Sequence, residues 1–214
     1  MASSFDPGSD FARIADGLEA VTLVRQGSPQ TIALAHALRR AVSQRDRGKS
    51  AGQYTSADAV WHLEAAELAE PPRPGDVLLD GQGRRWTVLR VQRQTFGGRW
   101  RCFARDLAVA AGLDNTIDIE KATFTPGAGG AQEPLWEPWR TGVAARIQPL
   151  ESRVTQDADR TTTQTRFKVF IAENLDVDHT CRIKGPGGAI YRVVGARGLG
   201  RIDRLMEIDV VGEG

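Results

Sequence analysis

"GGAIYRVVGARGLGRIDRLMEIDV", residues 187–210, decides how the chain is read. Its five glycines fall in two clusters, Gly187-Gly188 and Gly195 to Gly200. Around them apolar and polar residues alternate as they do in half-buried strands. A phosphate-cradling P-loop needs a lysine and a hydroxyl directly after its last glycine, but here Arg201-Ile202 follows. A dinucleotide fingerprint needs GxGxxG opening a helix, and neither the order nor the helix is present. The glycines therefore read as turn residues that supply positive φ. The stretch becomes a three-strand meander, Cys181–Lys184, Ile190–Val194 and Leu205–Val210.

A similar passage occurs about a hundred residues earlier, "DGQGRRWTVLRVQRQTFGGRWRCFARDL". Gly81 and Gly83 match Gly185 and Gly187, Trp86 matches Tyr191, Gly97-Gly98 match Gly198 and Gly200, and Asp106 matches Asp209. Upstream, "AVTLVRQ" resembles "GVAARIQ", and each is followed by a long polar stretch. Recurring order and spacing of turns point to one unit present twice. The expected fold is mainly β: two small β-barrel or sandwich domains in tandem, with one or two short helices. The expected boundaries are a flexible segment 1–19, a first barrel 20–124, a linker 125–141 rich in Gly, Pro and Trp, and a second barrel 142–211. Trp136 and Trp139 are expected to anchor the linker on a domain.

Two stretches are ambiguous. "TIALAHALRRAVSQ" has Ala and Leu at three- and four-residue spacing, which favours a helix, although a strand ending near Val42 would suit the rest. "DAVWHLEAAELAE" (58–70) reads as a strand through Leu63 or as a short helix, ended by Pro71 and Pro72. Residues 43–55 read as a loop by composition, and 153–166 as a long loop or exposed hairpin. A short helix and a strand are expected within 108–124.

Composition excludes several classes. The chain has 214 residues, 41% hydrophobic and 26% charged, with 28 basic against 27 acidic side chains. That suits a globular core and gives no overall basic field for nucleic acid or membrane. The start, "MASSFDPGSDF", lacks the basic and apolar regions of a signal peptide, so a cytoplasmic setting is expected. Cys102 and Cys181 sit in strand-like runs, and no CxxC exists. His36, His62 and His179 have no second ligand at finger-like spacing. No nucleophile motif is present, and the paired acids around 157–178 lack EF-hand spacing. No cofactor, metal or catalytic residue is expected.

The arginines carry the functional signal. Arg45, Arg47 and Lys49, with Arg39 and Arg40 before them, form a basic run, and Arg153, Arg160 and Arg166 border the second polar stretch. Loops of this length are often functional. These would reach a neighbouring chain or touch phosphates without sequence preference.

The stretch "VFIAENLDVDHTCRIKGPGGAIYRVVGARGLGRIDRLMEIDVV" resembles the small head–tail joining proteins of tailed bacteriophages, the head-completion or stopper connectors. These carry a strand, a turn with two aspartates, then a glycine turn, an aromatic strand and a closing acidic strand. The resemblance covers about residues 142–211, with fainter traces in 20–107. It implies a β-barrel that assembles as a ring between portal and tail in the virion, with portal and tail proteins as partners and packaged DNA as a nonspecific contact. The chain departs from that pattern in being twice as long. A tail-side joining or terminator protein is the alternative. A further one is an OB- or SH3-like module binding nucleic acid or peptide, with Trp86, Trp100 and Tyr191 as stacking candidates.

Overall fold

The computed structural model describes residues 11, 16–28, 30–94, 98–126, 132–157, 160–198 and 200–213, the side chains of 153–157, 160–163 and 213 excepted. It divides into two compact units, 1–110 and 111–214. Each is a closed, wholly antiparallel six-stranded barrel. Barrel 1 contains β1 (Leu18–Val24), β2 (Thr31–Ala41), β3 (Ala59–Glu64), β4 (Val77–Leu79), β5 (Arg85–Arg93) and β6 (Arg99–Asp106), in the order β1-β2-β3-β6-β5-β4. Barrel 2 contains β7 (Asn115–Pro126), β8 (Gln132–Asp157), β9 (Arg160–Ile171), β10 (Cys181–Lys184), β11 (Ile190–Arg197) and β12 (Met206–Glu213). Read from β7, its order is β7-β8-β9-β12-β11-β10, the same topology. Two short helices, α1 (Gln44–Lys49) and α2 (Leu107–Ala111), and two 3-10 turns complete the described elements.

The register shows how closely the barrels agree. Leu78 opposes Trp86 as Ile183 opposes Tyr191. The five-residue turns between them close identically: Asp80 N–H donates to the Arg84 carbonyl as Gly185 N–H donates to Ala189, and Gly83 N–H donates to Asp80 as Gly188 N–H donates to Gly185. Both β5 and β11 then carry a bulge at the same place, after Val88 and after Val193. The cores follow. Leu23, Ala37, Leu63, Leu78 and Val88 of barrel 1 correspond to Ile119, Ala145, Ile171, Ile183 and Val193 of barrel 2, all buried. Where barrel 1 packs Trp61 edge-to-face on Trp86, with centroids 6.0 Å apart, barrel 2 packs Phe167 on Tyr191 at 5.1 Å. The aromatic partner has moved two residues along the strand and stays on the inner face.

This register corrects the expected matches. Gly83 corresponds to Gly188, not Gly187. Asp106 corresponds to Gly212, because Trp86 opposes Asp106 and Tyr191 opposes Gly212. The counterpart of β1 is β7, and "GVAARIQ" lies within β8, the counterpart of β2. The expected linker is therefore no linker. Residues 132–141 are strand, paired with β7 as far as Pro126↔Gln132, so 115–126 and 132–141 open barrel 2. Gly142 (φ +69) belongs to a bulge, and its N–H donates to Asp118 Oδ1 at 2.9 Å. Trp139 packs against the second core, and the Arg182 guanidinium sits 4.5 Å from the Trp136 ring.

Residues 31–41 are a strand rather than a helix. Residues 43–55 contain α1, capped by Ser43, whose hydroxyl accepts from Asp46 N–H. In the opening stretch, Gly195 to Arg197 remain paired with β12, so the turn starts after Arg197. Most of the segment 1–19 lies outside the described residues, but Phe11 is buried with Arg99 over its ring, and β1 starts at Leu18.

Candidate functional site

Three features outside the cores have functional shape: the basic helix α1, and two hairpin arms that share β8. Helix α1 is fixed to barrel 1 by Asp46, which accepts from the Ser43 hydroxyl and from Arg101 Nη2 at 2.6 Å. The Ser43 and Arg101 hydrogen bonds hold the Asp46 carboxyl below its ordinary range. Arg45 and Lys49 are exposed and form no ion pair among the described residues, while Arg47 is half-buried with its Nε unpartnered. The expected basic loop is thus a short, anchored basic helix.

Strand β8 is 26 residues long, a contour of roughly 85 Å at the usual rise per residue. Only its middle lies in the barrel wall. Its start pairs with the far end of β7, from Ala122↔Trp136 to Pro126↔Gln132. Its end pairs with the start of β9, from Glu151↔Arg166 to Asp157↔Arg160. The two arms therefore leave opposite ends of barrel 2. Residues 153–157 pair antiparallel with 160–164, and Pro149 does not end the strand: the ladder shifts register between Pro149 and Glu151 and continues. Arg153, Arg160 and Arg166 all belong to this second arm. The side chains of Arg153 and Arg160 lie outside the described residues; Arg166 is exposed and lies 3.5 Å from Glu151.

In the first arm no strand among the described residues pairs with one edge of β8 over 132–144, since β9 joins only at Ala145. Pro134 and Pro138 stand on that stretch with the same parity, opposite Phe124 and Glu120. Proline is tolerated on a sheet edge and lacks the N–H another strand would need. The arm thus resists indiscriminate strand pairing while presenting Phe124 and Leu135, both about half exposed.

The remaining charged clusters act as clasps. Asp80 Oδ2 accepts from Trp86 Nε1 at 3.1 Å and Arg84 Nε at 2.8 Å, and Oδ1 accepts from two turn N–H groups. Burial alone would raise this carboxyl; the Trp86 and Arg84 bonds outweigh it and hold it low. In barrel 2 Gly185 stands in that place, where a Cβ would fall 2.7 Å from the Tyr191 ring. Glu120 is likewise held low: burial opposes this, but Lys184 and Arg182 outweigh it.

Sequence spacing missed one cluster. His36 Nδ1 lies 2.5 Å from Glu67 Oε1 and 3.2 Å from Glu64 Oε2. These three donors lie within 4.8 Å of one another and are the one set of metal-capable groups among the described residues. Glu67 Oε2 also accepts from the N–H groups of Ala35 and His36, so the cluster ties the turn after β3 onto β2. No sequence signal joins His36 to Glu67, because only the β2–β3 pairing brings them together.

Nothing among the described residues assembles a nucleophile. Burial, with the nearby Asp76 charge, pushes the Cys102 thiol up to about 12, far from a reactive thiolate. Cys181 is buried, and no serine or cysteine is hydrogen-bonded to a histidine among the described residues. Trp86 is core, and Trp100 and Tyr191 pack against the cores, so they form no open stacking face.

His62 is the most displaced base. On β3, opposite Leu38 and Arg101, its Nδ1 has no partner. Burial first, then Arg99, Arg101 and Arg40, lowers it to about 4. Below the ordinary histidine range the unfolded chain takes up a proton that the folded barrel refuses. Stability is therefore whole above pH 6.5 and falls as pH drops toward 4. His62→Gln should remove about 2 kcal/mol of this acid loss between pH 7.5 and 4.5. Urea melts of both proteins at the two pH values measure it.

No protein-family model matches the chain, and no curated protein matches its sequence. Among the described residues no helix is long and apolar enough to cross a membrane.

Proposed function

We propose that the protein is a structural head–tail connector of a phage or prophage, assembling as a ring between portal and tail. One observation carries this reading: barrel 2 sends an arm from each end, both built on β8. A ring component that joins two partners along an axis needs contacts at both ends, and a closed barrel with β arms provides them without a flexible element. The two barrels sharing one topology mean that six chains present twelve barrels. The basic helix α1 and the arginines of the second arm suit nonspecific phosphate contact near packaged DNA. A tail-side joining protein would use the same arms with different partners. Trp86, Trp100 and Tyr191, the stacking candidates of a nucleic-acid-binding barrel, pack on the cores instead.

The test is co-expression with the portal protein of the phage or prophage that encodes the chain. Co-purification and particles with a ring density of six chains, counted by electron microscopy, are expected. A chain that never associates with portal or tail components overturns the connector reading.

A further inference from the structure

Barrel 1 shows what barrel 2 lacks. Leu89, the bulge residue of β5, and Val42, directly after β2, lie in a small second cluster with Val60 and Phe103. Tyr54, from the connection between β2 and β3, closes it by stacking on Phe103 at 4.6 Å. By register the same two positions in barrel 2 are Val194 and Leu150. There the β2–β3 type of connection has become the second arm, and no segment folds back among the described residues. Val194 is 53% exposed and Leu150 56%. Together with Phe167, Arg166 and Asp209 they line an open groove of about 210 Å³.

The same barrel carries a segment suited to that groove. On the first arm Glu133, Leu135 and Glu137 alternate along β8, so they share one face. Leu135 is 54% exposed, and neither glutamate has an ion-pair partner among the described residues. The groove has the complementary order. Arg166 stands on one side, and Arg192, exposed beside Val194 and opposite the lining residue Val211, stands on the other. Arg192 also has no ion-pair partner among the described residues. An acid–leucine–acid triplet faces an apolar floor with an arginine on each side, and the groove's own acid, Asp209, lies 3.9 Å from Lys168.

Resting on the connector reading, we infer that the first arm of one chain seats Leu135 in the Leu150–Val194 groove of a second copy, with Glu133 and Glu137 against Arg166 and Arg192. The arm and the groove are different surfaces toward opposite ends of β8, and in the ring of the connector reading each chain gives its arm to one neighbour and its groove to the other. The contact is head-to-tail and propagates into a ring or filament. Mixed charge at its rim makes it salt-sensitive.

Sedimentation velocity on the full chain tests this. The wild type should associate with rising concentration and weaken in high salt. Glu133→Arg with Glu137→Arg should weaken association at least tenfold, as should Arg166→Glu with Arg192→Glu; all four positions are exposed, so folding is retained by circular dichroism. Combining the four changes in one chain should restore association. An equimolar mixture of Leu135→Asp and Val194→Asp chains should give pairs and nothing larger, since one intact contact remains between them. A wild type that stays monomeric at high micromolar concentration, or reversals without effect, or a combination that does not recover, overturns the inference. Association that obeys these rules in a protein that ignores portal would overturn the connector reading and leave the arm contact standing.

Discussion

Asp76→Ala should destabilise barrel 1 by about 3–5 kcal/mol, the range for breaking a buried ion pair from one side. Both partners are buried, and Arg25 Nη1 donates to Asp76 Oδ2 at 2.8 Å. The carboxylate does more than neutralise the arginine. It accepts from Gln26 N–H at 3.1 Å and Arg73 N–H at 2.8 Å, while the guanidinium donates to the carbonyls of Glu70 and Pro71. The group thus holds the proline-rich segment before β4 against the end of β1. Removing the carboxylate strands a buried cation and two N–H donors together. Hydrogen exchange read peptide by peptide separates the barrels: protection over residues 18–106 should fall, and that over β7 to β12 should hold. Unchanged protection in barrel 1 would show that the pair is not structural.

Trp61→Ala should be comparably severe, about 3–5 kcal/mol. Trp61 is fully buried in β3, edge-to-face with Trp86, and the Arg39 guanidinium lies 5.6 and 5.4 Å from the two rings. Truncation leaves a cavity at the middle of a closed barrel, which cannot collapse without breaking its ladder. Trp61→Phe should cost much less, because the ring contact survives and the indole N–H, which has no partner, is removed. Urea melts followed by far-ultraviolet circular dichroism would show the order alanine, phenylalanine, wild type in rising stability. Equal loss for both substitutions would point to the indole nitrogen rather than to volume.

Much of the fold was legible because turns announce themselves. The meander from Cys181 onward and its earlier partner were readable from their turn glycines, of which Gly83, Gly187 and Gly188 have positive φ while Gly195, Gly198 and Gly200 do not. Strand β2 was not readable, for a reason visible in its register. A bulge in the β1–β2 ladder puts Leu34 and Ala37 on the same buried face three residues apart. A strand with a bulge imitates the spacing of a helix, and its alanines, of which only Ala37 is buried, add helix propensity. The first arm was hidden similarly. Pro134, Pro138 and Gly142 look like linker composition, but an uncovered edge accepts prolines and a bulge needs a glycine. Of the basic residues singled out at 45–49 and 153–166, Arg45, Lys49 and Arg166 are exposed and Arg47 is half-buried, but nothing in their spacing distinguishes a capped helix from a loop. The groove at Val194 was invisible, since it exists only by comparison with the covered position of Leu89.

Because one unbroken strand serves both arms, a pull on either end is not a hinge movement. Load applied along β8 runs parallel to its neighbours, so the ladder bonds to β7 and β9 are strained side by side and must fail together rather than unzip one at a time. Barrel 2 therefore meets a pull along β8 in shear, and the bulges at Gly142 and after Pro149 are where the strand itself bends.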